Sequence, residues 1–112
     1  MNAFAKKYLA LFERADTTEE DVCRTFADEC FALGIDMDLG RSLVESYGKE
    51  PWLDAGALKK IADEISDADV LASAIFSKWR YITHWSFSDS CMSSDNREWF
   101  VTAFRRLVEI TE

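Results

Sequence analysis

Turn-forming residues are scarce in this sequence: one proline, Pro51, and four glycines among 112 residues. A many-stranded β protein reverses its chain often and relies on such residues, so that architecture is excluded. Also missing is any run approaching the ~20 apolar residues of a membrane span. The segment from Met1 to Lys7 brings its lysines too late, and its apolar run is too short, for a secretory signal. A cytoplasmic protein without membrane association is expected. Histidine occurs once, at His84, and cysteine three times, at Cys23, Cys30 and Cys91. An odd number of cysteines without a disulfide-framework spacing predicts reduced thiols. The chain contains no glycine-rich phosphate loop, no His-x-x-x-His or Glu-x-x-His ligand pair and no Gly-x-Ser-x-Gly elbow. No cofactor is predicted.

Basic residues are in short supply as well. Thirteen Lys and Arg stand against 21 Asp and Glu, for a net charge of −8. The imbalance is local: residues 13–38 hold nine acids and two bases, whereas residues 78–112 carry five of each. Such a surface repels nucleic acid and anionic membranes and attracts basic proteins. Direct nucleic-acid binding is therefore not expected.

Apolar material is plentiful. Hydrophobic residues make up 48% of the chain, with four Trp, three Tyr and eight Phe. That is enough for one well-filled core in a chain of this length, and a single domain is expected. The apolar spacing is helical. Phe4, Tyr8, Leu11 and Phe12 form one stripe. Thr17-x-x-Glu20 and Thr18-x-x-Asp21 have capping-box spacing, so a second helix should start near Thr18 and run to Leu33, with Gly34 as a left-handed stop. A shorter helix from Met37 or Leu39 to Tyr47, a turn at Pro51 and a helix after Asp54 follow. Ser66-x-x-Asp69 then opens the longest helix, to about Trp85, and Asp95-x-x-Glu98 opens the last, from Trp99 to Ile110. These two are joined by a serine-rich connector. The fold class expected is all-α, an irregular bundle of five or six helices.

The candidate chemistry is sparse. One His and three Cys match a zinc set in number, but Cys23 and Cys30 stand two turns apart on an apolar arc and read as small buried hydrophobes. His84 and Cys91 could form a base and nucleophile, with Asp89 or Asp95 to orient the imidazole, yet nothing builds a pocket around them. Lys78 and Arg80 interleave with Trp79 and Tyr81. Neighbours on a helix diverge by about 100°, so the two bases form no strip and read as snorkelling edges of a core helix. The surfaces that remain are acidic and aromatic. Asp21, Asp28 and Glu29 should face solvent together from one helix, and Trp79, Tyr81, Trp85 and Trp99 supply more aromatic area than one helix pair needs to bury.

The segments Ile75-Phe-Ser-Lys-Trp-Arg-Tyr-Ile-Thr-His-Trp85 and Asn96-Arg-Glu-Trp-Phe-Val-Thr-Ala-Phe-Arg-Arg-Leu-Val-Glu-Ile110 resemble small uncharacterised helical proteins of gut bacteria. The resemblance covers about the last 45 residues. It implies a helical fold and a bacterial origin, and no activity or site residue.

Three functions follow from these features. The first is a non-enzymatic bacterial interaction protein that docks a basic protein surface or a second copy of itself through the acidic or the aromatic face. The second is an acidic nucleic-acid mimic, encoded by a phage or mobile element and directed at a nucleic-acid-binding protein such as a host defence nuclease. The third is an enzyme that uses His84.

Overall fold

The computed structural model describes residues 1–39, 65–85 and 90–112. Five α-helices lie wholly within the described residues, in order α1 (Asn2–Glu13), α2 (Glu19–Cys23), α3 (Phe26–Ala32), α4 (Ala68–Arg80) and α5 (Ser94–Thr111). A π-helical turn, Tyr81–Trp85, continues α4. The chain is an all-α bundle, and no strand occurs among the described residues. The backbone is helical over residues 37–39. The remainder of the helix expected to reach Tyr47, the Pro51 turn, the helix after Asp54 and residues 86–89 of the connector lie outside the described residues. No described helix is long and apolar enough to cross a membrane.

The stripe on α1 buries Phe4, Ala5, Tyr8 and Phe12, and α1 lies along α5. Phe12 stacks on Phe100 with ring centroids 4.7 Å apart, and Tyr8 stacks on Phe104 at 5.9 Å. Polar contacts fix the register of the pair. The Arg97 guanidinium donates to the carbonyls of Phe12 (2.6 Å) and Glu13 (2.9 Å), occupying acceptors that the end of α1 leaves open. At the opposite end, Asn2 donates to the Thr111 hydroxyl at 3.0 Å.

Thr18 caps α2 as its spacing predicts. Its hydroxyl accepts from the Asp21 N–H, and the Asp21 carboxylate accepts from the Thr18 N–H. The single helix expected from Thr18 to Leu33 is instead two. Thr25 leaves helical geometry (φ −124°, ψ −12°), and its hydroxyl lies 2.9 Å from the Tyr8 phenol oxygen. A threonine hydroxyl with a tertiary partner offers the chain an alternative to continuing the helix. The break re-aims α3 so that Phe26 enters the core. The stop at Gly34 is as expected: with φ +69°, its N–H bonds to Phe31 O and the Ile35 N–H to Cys30 O, the paired bonds of a Schellman motif.

Two other expected caps shift by a residue or more. Asp67, rather than Ser66, caps α4 by accepting from the N–H groups of Asp69 and Val70. α5 begins at Ser94 behind Ser93, so the box at Asp95 is not its start. Helix α4 is buried on most sides, as its apolar girth predicts for a central helix. The Ser77 hydroxyl donates to Met37 O at 2.7 Å, and the Ser73 hydroxyl donates to Asp36 O. These bonds fasten the turn after α3 to α4.

The core converges on Phe26. Its ring lies 5.0 Å from Tyr8, 5.1 Å from Trp79, 5.9 Å from Phe4, 6.0 Å from Phe76 and 6.4 Å from Phe104. One residue of a seven-residue helix thus touches α1, α4 and α5 together.

Candidate functional site

Helices α2 and α3 and the loops at their ends carry the acidic face. Asp16, Glu20, Asp21, Asp28, Asp36 and Asp38 are exposed. The two bases within this region are taken up locally, Arg14 by Asp16 (3.1 Å) and Arg24 by Glu20 (3.4 Å). Asp21, Asp28 and Asp36 have no ion pair among the described residues. The Thr18 backbone N–H and then its hydroxyl hold the Asp21 carboxyl below the usual carboxylate range, so this charge persists into mild acid.

Glu29 is a different kind of residue from Asp21 and Asp28. It is half-buried and ion-paired with Lys7 of α1, whose ammonium also lies 5.3 Å from the Tyr8 ring centroid. Partial burial pushes its carboxyl up, but hydrogen bonds from Lys7 and Tyr8 outweigh that and hold it low. Glu29 therefore ties α3 to α1.

The aromatic half of the expected surface is largely interior. Trp79 is 6% exposed and Trp99 2%, because α3 and α5 cover the sides of α4 that the sequence left without a partner. Tyr81 is exposed on the π-helical turn, and the side chain of Trp85 lies outside the described residues. Lys78 does not snorkel. It is 1% exposed, and its ammonium lies 5.5 Å from the centroid of the Trp99 ring. Exposed apolar area lies elsewhere, at Phe31 (63% exposed), Leu33 and Leu39, beside the acids of α3 and the following turn.

His84 and Cys91 are not assembled as a catalytic pair. His84 is exposed, its ring edge-on to Trp79 with centroids 6.5 Å apart, while Cys91 is fully buried. No hydrogen bond joins His84 to Cys91 or to Asp95 among the described residues. Asp89 lies outside them. Cys91 meets Cys23 instead. Glu19 and Cys23 stand one turn apart on the same face of α2, and the loop before α5 brings Cys91 onto that face. The carboxylate and both sulfurs lie within 4.8 Å of one another. The Cys91 N–H donates to Glu19 Oε1 at 3.4 Å, and the Cys23 thiol faces the Cys91 thiol and the Trp79 indole N–H. Burial, and then the neighbouring Cys23 and Glu19, push the Cys91 thiol well above its ordinary range. Burial also raises Cys23. Cys30 stands apart from this cluster on the core side of α3. The spacing Glu19-x-x-x-Cys23 is the local signal for the cluster, but its third member is 68 residues further along the chain and carries none.

No protein family, curated protein or solved structure compared with the chain matches it.

Proposed function

We propose that the protein acts by binding, its α2–α3 acidic face docking a basic surface of another protein. The observation that carries this is the unequal distribution of partners. Among the described residues, several bases outside this face are engaged within the chain: Arg97 holds the end of α1, Arg105 pairs with Glu13 at 3.2 Å, and Lys7 pairs with Glu29. The side chains of Asp21 and Asp28 are exposed and have no ion pair among the described residues. Phe31 projects from the same helix as Asp28, an apolar anchor beside an acidic surround, which is the arrangement of a binding patch with a charged rim. Charge of one sign on such a rim speeds encounter with a basic partner and makes it salt-dependent.

The structure of the face selects the variant that tests this. Reversing Asp21 would also break the α2 capping box, and reversing Glu29 would break the tie to α1. Glu20→Lys with Asp28→Lys reverses two exposed charges at little cost in stability, since the Glu20–Arg24 pair is solvent-exposed. A partner captured by the native protein at low salt should be lost with this double variant and at high salt. A partner held equally by both proteins overturns the proposal. Displacement of the captured partner by duplex DNA would identify the acidic face as a nucleic-acid mimic, the second function the charge pattern suggests.

A further inference from the structure

We propose that Glu19, Cys23 and Cys91 form a binding site for a soft divalent metal ion of the zinc class, with water completing the coordination. Two sulfurs and one carboxylate oxygen are the donor types that zinc and its cobalt and cadmium surrogates select. Around such an ion the donor atoms would stand about 3.5–3.8 Å apart, given Zn–S near 2.3 Å and Zn–O near 2.0 Å. The three donors already lie within 4.8 Å of one another, so an inward adjustment of about 1 Å in side-chain position completes the set. Glu19 and Cys23 are half-buried, which leaves a solvent path to the fourth position, while Cys91 closes the inner side.

A second observation points to thiolate at this position. The Trp79 indole N–H is buried and faces the Cys23 sulfur, short of a full hydrogen bond to the thiol. A metal-bound thiolate at Cys23 is a far better acceptor than a thiol, and N–H donors of this kind fix and tune the ligand atoms of metal sites. Trp79 would thus be a positioning residue for Cys23. Binding replaces the two thiol protons by the metal, so the thiols release two protons for each divalent ion taken up. His84 is not part of the set.

Cobalt(II) titration of the full reduced chain tests this. One ion per chain should bind, with the near-ultraviolet absorption of cobalt–thiolate charge transfer and the visible intensity of a tetrahedral site. Calorimetry in buffers of different ionisation enthalpy should read the release of two protons. Cys23→Ser and Cys91→Ser should each abolish the charge-transfer absorption, while Cys30→Ser should leave it unchanged. Glu19→Gln and Trp79→Phe should each weaken binding by about tenfold or more. Glu19→Gln keeps the shape of its site, so it reports even where a cysteine or Trp79 variant fails to fold. Absence of the absorption in the native chain, its dependence on Cys30, or an unchanged affinity in Glu19→Gln overturns the proposal.

Discussion

The Lys78 ammonium lies 5.5 Å from the centroid of the Trp99 ring, with the lysine 1% and the tryptophan 2% exposed. A cation over an indole face gains most when both are desolvated, about 2 kcal/mol or more. A double-mutant cycle of Lys78→Met with Trp99→Phe should therefore give a coupling of about 1–2 kcal/mol in urea unfolding. Additive losses would mean that the ring face contributes no specific attraction to the lysine.

Phe26 and Phe31 are five positions apart and have opposite fates. Phe26→Ala would empty the point where α1, α4 and α5 meet, at a cost of about 3–5 kcal/mol. Phe31 touches Phe76 at 5.5 Å but is 63% exposed, so Phe31→Ala should cost less than about 1 kcal/mol. Chemical denaturation of the two variants checks the contrast. A larger loss at Phe31 would show that α3 is anchored by its outer face.

Gly34 ends α3 at φ +69°, and a Cβ there would meet nothing within 4 Å. Gly34→Ala should thus cost only the left-handed backbone penalty, about 1–2 kcal/mol. Asparagine, which tolerates this conformation, should recover part of it. Equal thermal midpoints for Gly34→Ala and the native chain would remove the penalty.

Alkaline pH should destabilise the fold through its buried thiols and phenol. Burial, and then the Glu29 charge, push the Cys30 thiol from 9.0 up to about 12. A folded-state pKa above the unfolded one favours the folded state fully at lower pH, and that advantage is lost as pH rises between the two values. For Cys30 the loss is about 1.4 kcal/mol per pH unit, or roughly 2 kcal/mol by about pH 10.5. Tyr8, Cys23 and Cys91 shift in the same direction, each mainly through burial, and add to the loss. Urea unfolding between about pH 8 and about pH 10.5 should show the decline. Cys30→Ala should make it shallower, and an identical slope in that variant would show that Cys30 is not its source.

Features set by near neighbours could be read from the residues alone. The α1 stripe, the Thr18 capping box and the Gly34 stop all depend on positions within one or two turns. What escaped depended on residues far along the chain. The helix break at Thr25 comes where its hydroxyl meets Tyr8, 17 residues earlier in the chain, and Asp67 rather than Ser66 supplies the cap of α4. Lys78 looks like a helix edge, and Trp79 like spare aromatic surface, until α3 and α5 are laid on either side. For the acidic face, the periodicity of the helix indicated that Asp21 and Asp28 point outward, but not that Glu29 is engaged by Lys7. The approach of Cys91 to Glu19 and Cys23 depends on a loop that no local pattern announces.

Because α1 packs chiefly along α5, a helix made early is sheltered by one made much later. During synthesis the Phe4–Tyr8–Phe12 stripe emerges from the ribosome long before Phe100 and Phe104 exist to receive it. The nascent chain must carry this ridge without its α5 cover until that helix is released, and the core then closes over a long span of intervening chain. A ribosome stalled before Ser94 would hold a chain that chaperones can recognise and that proteases can cut within α1.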